Sequence, residues 1–261
     1  MRIKHEPKIE YFHDYDEDFV SSGNQDKKLP EGYVWVHRNP LYRAASWLLY
    51  AVAILCALVY VRLVLRVRFK NRRVLKAARR TGCFLYGNHT QPVGDVLTPA
   101  LLAFPKRIYT VAGTANLGIP VIGKLLPMLG ALPVPDSLGK MRAFQDAVKQ
   151  RAGEKRCIII YPEAHVWPWC SFVRPFSEAS FRFPVLCGVP AYCMTTTYQD
   201  RGSGKKPRIT VFIDGPFYPQ QGKRPKEEAR RLHDEISECM KDRSKSSDCS
   251  YIRYERKVDE P

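Results

Sequence analysis

The stretch "FLYGNHTQPVGD", residues 84–95, decides how this chain is read. Cys83, Phe84, Leu85 and Tyr86 form a short apolar run that stops at Gly87. Asn88 and His89 come next, with Asp95 six positions after the histidine. A buried strand that ends at glycine and hands polar residues to a loop is the pattern of an α/β sheet, whose functional loops gather at strand ends. A lone loop histidine is ordinary. One with a carboxylate in reach is a candidate base whose far ring nitrogen is held in a fixed tautomer.

Working outward, further strand-length apolar runs occur at 157–161 ("CIIIY"), 189–194 and 209–213 ("ITVFI"). Between them lie two helical patterns: Leu138, Met141, Phe144 and Val148 share one face, as do Ala229, Leu232, Ile236 and Met240. These faces are read as core. The fold class is α/β, a mostly buried mixed sheet covered by helices. The run at 157–161 leads into "PEAHVWP", which sets Glu163 and His165 at an edge comparable to that of His89. A third stretch, 174–194, leads through Gly188, Val189 and Pro190 into another strand.

Upstream, residues 44–61, "AASWLLYAVAILCALVYV", carry no charge and have the length that crosses a hydrocarbon core. Asn39-Pro40 is a good helix start, and Trp47, Tyr50 and Tyr60 are placed for interfacial contact. A buried core helix is the alternative. From 66 to 80 there are eight basic residues and no acid, which places the chain beyond Arg66 on the cytoplasmic side of a cell membrane. Residues 1–32 are polar without apolar period and read as a loosely packed tail, with "HDYDED" at 13–18 a solvated acidic run rather than a metal site. The divisions are a polar tail at 1–38, a membrane-anchoring transmembrane helix at 39–68 and a catalytic domain at 69–261.

The chain's 42 Lys and Arg against 26 Asp and Glu give +16, which calls for a polyanionic partner. Membrane lipid fits better than nucleic acid, because the densest basic run follows the apolar segment and holds one aromatic residue, Phe69. Eight scattered cysteines without Cys-x-x-Cys indicate neither a zinc site nor a disulfide framework.

The order of these pieces resembles the lysophosphatidic acid acyltransferase family of membrane glycerolipid acyltransferases. Asn88, His89 and Asp95 match its first motif, Asn-His-x-x-x-x-Asp, with one extra residue. Tyr161-Pro162-Glu163-Ala164-His165-Val166 matches Phe-Pro-Glu-Gly-Thr-Arg; Pro175 to Phe181 and Gly188-Val189-Pro190 match the later motifs. The resemblance spans roughly residues 70–215. It implies the glycerolipid acyltransferase fold and transfer of a fatty acyl chain from a thioester, on coenzyme A or acyl-carrier protein, to a lysophospholipid hydroxyl in phospholipid biosynthesis. No metal or resident cofactor is implied. The family's phosphate-associated arginines are missing: "GALPVPD" at 130–136 has none, and Val166 replaces the other.

In this scheme His89 is the general base and Asp95 its orienting partner, and no nucleophilic serine or cysteine is needed. The extra residue is absorbed if Gly94 adopts a conformation closed to other residues. Backbone N–H groups at the start of the following helix are candidate oxyanion donors. Asn88, Glu163 and His165 are candidate substrate contacts, with a structural ion pair the alternative for Glu163. Lys140, Arg142 and Arg174 are the candidate phosphate ligands. Trp167 and Trp169 make the acceptor loop bulkier and less cationic. Competing readings are a non-phosphate acceptor such as a glycolipid, a metal-dependent hydrolase using His89, Asp95, Glu163 and His165, and a silent membrane-surface adaptor.

Overall fold

A computed structural model of the chain describes residues 7–20, 27–202 and 205–257. Strand β1 (Lys8–Phe12) precedes helix α1 (Pro40–Val59), which a π turn carries on to Val64. Next come β2 (Arg68–Lys70), β3 (Cys83–Gly87), α2 (Gly94–Ala103), β4 (Ile108–Ala112), α3 (Ile122–Leu129) and β5 (Ala131–Pro133). They are followed by α4 (Leu138–Gly153), β6 (Cys157–Ile160), α5 (Arg182–Cys187), β7 (Ala191–Gln199), β8 (Arg208–Phe217), α6 (Pro225–Ser244) and β9 (Ile252–Arg256).

Seven strands form one sheet in the order β2-β8-β7-β3-β6-β4-β5, and every pairing is parallel except β7 with β8. The mixed α/β sheet is therefore as expected. The inner strands are continuous apolar runs because both faces are covered. Alternate residues serve opposite layers. Phe84, Tyr86, Ile158 and Ile160 meet Phe144 and Val148 of α4, Phe183 of α5 and Leu232, Ile236 and Met240 of α6. Leu85, Ile159, Tyr192 and Met194 face Tyr50 and Ala57 of α1 and Leu101 and Leu102 of α2. Leu138, expected in the core stripe of α4, is 89% exposed because it is the first residue of the helix.

The N-terminal segment is not loosely packed where it is described; residues 1–6 and 21–26 lie outside the described residues. β1 pairs in parallel with β9, from Lys8 with Ile252 to Phe12 with Arg256. Phe12, Leu29 and Trp35 are buried, and the Trp35 indole donates to Pro133 O at 2.9 Å. The acidic run is a local turn, in which the Glu17 carboxylate accepts from the N–H of His13 and Asp14.

The apolar helix, Pro40 to Val64, is long and apolar enough to cross a membrane. Asn39 caps it by accepting from Leu41 N and Tyr42 N. It is not a free stalk, because Ser46, Tyr50, Ala57 and Val61 form a buried stripe along the domain. Ser46 donates to Met128 O of α3 at 2.6 Å, and the Tyr50 hydroxyl accepts from Ile108 N. Tyr50 is thus a docking residue, not the interfacial aromatic expected. The outer face leaves Leu41, Leu48, Val52, Leu55, Val59 and Leu63 exposed.

Candidate active site

β3 lies between β7 and β6, so its carboxyl end opens at the middle of the sheet, where ligands of α/β proteins bind. Gly87 ends it. A Cβ there would stand 2.7 Å from the Tyr161 ring and 3.0 Å from the Met194 methyl, so only glycine lets the strand pass between them. Asn88 is buried and prolongs the β3–β7 ladder with its side chain: the amide donates to Thr196 O (3.0 Å) and accepts from Thr196 N (2.8 Å). The amide is thus engaged by Thr196 backbone, where a substrate contact was the expectation.

His89 follows, with Nδ1 2.9 Å from Asp95 Oδ2. The extra residue does not part them. The same carboxylate oxygen accepts the N–H of Thr90 and of Gln91, each at 2.8 Å, so the loop's own backbone holds the charge in position. Asp95 is 3% exposed and sits in the first turn of α2, the end of a helix that favours a negative charge. Gly94 works differently from expectation. It takes no left-handed conformation but opens α2, and a Cβ there would lie 2.9 Å from Gln91 Cβ and 3.2 Å from a Leu65 methyl. Clearance, not backbone freedom, makes it glycine. Of the expected oxyanion donors, two are committed within the turn: Asp95 N donates to Gln91 O and Val96 N to Val93 O.

The Tyr161 ring stacks on the imidazole, with centroids 4.3 Å apart, and its hydroxyl donates to Asp95 O at 2.6 Å. Burial, and then the Asp95 carboxylate, push the Tyr161 phenol well above its usual range and keep it a neutral donor. Below the loop, the Tyr198 hydroxyl meets Thr90 Oγ1 at 2.6 Å and accepts from the Gln91 amide at 2.8 Å. His89 Nε2 has no hydrogen-bond partner among the described residues, and the side chain is 17% exposed. One ring nitrogen is fixed and the other is available to take a proton.

Glu163 stands on the neighbouring loop and is an anchor. Its carboxylate accepts His89 N (3.0 Å), Arg174 N (2.9 Å) and the Arg174 guanidinium (3.0 Å), with both side chains almost wholly buried. Burial pushes Glu163 above the usual carboxylate range, opposed by the guanidinium and by those two N–H groups. The ion-pair alternative for Glu163 is the arrangement observed, with both side chains turned away from solvent. Arg174 also donates to Tyr15 O and His165 O and stacks on Trp167, so the N-terminal segment closes over it. Trp167 is fully buried among Phe12, Tyr15, Phe19 and Tyr254, and so lines no acceptor pocket. Its backbone N–H reaches His89 O, and that of Trp169 reaches Thr90 O.

The remaining candidates fall outside this cluster. His165 Nδ1 lies 3.9 Å from Asp18 Oδ2, beside the N-terminal segment. Lys140 donates to Leu29 O and Asp136 and pins that segment, while Arg142 is exposed on α4. His89, Asp95, Glu163 and His165 do not form a ligand set, because Glu163 is turned to Arg174. Among the described residues the group able to hold a metal is instead Cys193, Asp214 and Cys239, whose ligand atoms lie within 4.8 Å of one another. Asp214 is already gripped there by Arg243 at 2.6 and 3.0 Å. Tyr161, Thr90, Gln91 and Tyr198 escaped the sequence reading. For Tyr161 alone there was a signal, an aromatic residue closing a strand beside the dyad strand.

The fold has a solved counterpart. A 1-acyl-sn-glycerophosphate (LPA) acyltransferase, PlsC, from Thermotoga maritima superposes with a TM-score of 0.52 at 14% identity, covering 80% of this chain and 84% of that one. At that identity the likeness establishes the fold. Curated proteins gave no sequence match. The sequence model of the family described as Acyltransferase matches residues 66–197, from the basic run through the dyad loop into β7. That span is 132 of 261 residues, and the chain belongs to the Acyltransferase family.

Proposed function

We propose that the protein is a membrane-bound O-acyltransferase that moves a fatty acyl chain from a thioester, on coenzyme A or acyl-carrier protein, to the hydroxyl of a lysophospholipid. The observation that carries this reading is the His89–Asp95 contact of 2.9 Å, with Nε2 open at the carboxyl edge of a family-matched sheet. Neutral His89 takes the acceptor's hydroxyl proton at Nε2 while the oxygen attacks the thioester carbonyl. Asp95 keeps the proton of the other nitrogen on Nδ1 and stabilises the imidazolium that forms. The tetrahedral adduct then collapses, the C–S bond breaks, and the leaving thiolate takes the proton back from Nε2. Tyr161 packs the ring on one side, and Glu163 holds the loop's backbone.

Membrane attachment is supported by the apolar outer face of α1 and by the basic run that follows it, which faces the cytoplasm in this reading. The similar Thermotoga protein is an enzyme for 1-acyl-sn-glycerophosphate. Here a second acceptor reading has a specific support: Arg174 is spent on Glu163, and no family arginine stands in the matched motifs. A phosphodiester head group or a sugar then competes with a phosphate monoester. The test incubates membranes containing the protein with labelled acyl-coenzyme A or acyl-carrier protein and a panel of lyso-acceptors, and identifies the labelled product. Labelled diacyl lipid supports the proposal. Labelled free fatty acid alone overturns it in favour of hydrolysis.

A further inference from the structure

Four arginines from two distant parts of the chain meet at one place the mechanism does not use. A cavity of about 220 Å³ is lined by Leu65, Arg66, Arg68, Arg201 and Arg208. The topology explains the meeting. β2 runs parallel to β8 with Arg68 opposite Thr210, and β8 runs back along β7 with Arg208 opposite Gln199. Arg201 follows the end of β7. All four therefore lie toward the sheet end that carries the dyad loop, but on the far side of β7, away from β6 and Tyr161.

Among the described residues no carboxylate lies within ion-pair distance of any of the four. The nearest acid in sequence, Asp200, is occupied by the N–H of Gly202. Arg66 makes one weak bond, from Nε to Leu63 O at 3.4 Å, and its φ of 52° sets the turn that brings it beside Arg68. Uncompensated guanidinium groups gathered in this way favour an anion, and their planar forks suit phosphate oxygens. A second cavity shares Arg68 and extends the basic surface along β2 past Arg62 and Lys70.

Two features select the source of the phosphate. The lining offers no aromatic ring and no side-chain acceptor with which to read a nucleotide base. Immediately before the lining residue Leu65, the helix ends with Leu58, Val59, Leu63 and Val64 exposed, an apolar surface on which acyl chains can lie. We propose that the Arg66–Arg68–Arg201–Arg208 cavity binds the head-group phosphate of an anionic phospholipid, seating the domain on the bilayer beside α1. This site rests on the membrane reading and is independent of acyl transfer.

The test uses the full chain in neutral detergent micelles and titrates dioctanoyl phosphatidylglycerol, dioctanoyl phosphatidylcholine, inorganic phosphate and coenzyme A, with binding read by calorimetry. The expected result is saturable binding of the phosphatidylglycerol, weakened at least tenfold in the Arg201→Gln/Arg208→Gln variant. Phosphatidylcholine and inorganic phosphate should bind much more weakly. Arg201→Lys/Arg208→Lys, which keeps the charge but loses the fork, should fall between. Equal phosphatidylglycerol binding by wild type and the glutamine variant overturns the proposal. Coenzyme A binding that is tighter than that of the lipid, and lost in the glutamine variant, overturns it in favour of a nucleotide site. The readout is binding, so absence of acyl transfer leaves the result interpretable.

Discussion

The segments that follow two neighbouring parallel strands each carry a paired acidic and basic side chain, and only one of the two pairs reaches solvent. On the loop after β3, His89 and Asp95 pair at 2.9 Å with the imidazole partly open. On the loop after β6, Glu163 and Arg174 pair at 3.0 Å with both side chains almost wholly buried. A buried ion pair whose carboxylate oxygens are both engaged fixes the chain and is closed to solvent. A pair with one nitrogen facing outward can exchange a proton. The two are also linked, because Glu163 holds His89 N, so the buried pair sets the frame in which the open pair sits.

The comparison breaks most sharply at Asp95. Asp95→Asn is expected to lower acyl transfer by about 10²–10⁴, since an amide can hold the wrong tautomer, while unfolding by urea moves little. A rate within threefold of wild type would remove the orienting role. The buried pair should show the reverse pattern. Arg174→Met strands an unpaired carboxyl group and should cost about 3–5 kcal/mol of stability, read as an earlier urea midpoint. A midpoint unchanged in that variant would mean that Glu163 is served by its two backbone donors alone. The smallest effect belongs to Tyr161→Phe, which keeps the ring on His89 and deletes one hydrogen bond to Asp95 O. A loss of about 1 kcal/mol is expected, a two- to tenfold slower rate.

The contrast also separates what sequence can carry from what it cannot. β3 and β6 were legible because a strand covered on both faces must be apolar throughout. β7 continues to Gln199, beyond the expected 194, because the polar Thr195, Thr196 and Thr197 are buried in the strand and extend no apolar run. The β1–β9 pairing joins residues 8–12 to 252–256 and leaves no local periodicity, so the N-terminal segment looked loose. At the site, His89 and Asp95 were visible from motif and spacing. The burial of Asn88, Glu163 and Arg174 was not, because a charge or an amide in a loop reads alike whether it contacts ligand or backbone. The need for glycine at 94 comes from a neighbour 2.9 Å away, a tertiary contact that no local pattern carries.

The most direct measurement places His89→Ala beside wild type, both purified in micelles, with a labelled acyl thioester and the lyso-acceptor that the panel identifies. Acylated product is counted, and unfolding is followed on the same samples. The expected result is a rate lowered by about 10²–10⁴ in a variant that remains folded, because the substitution removes one side-chain hydrogen bond and the stack on Tyr161 while the backbone bonds survive. Product formed at near wild-type rate by the folded variant would contradict it.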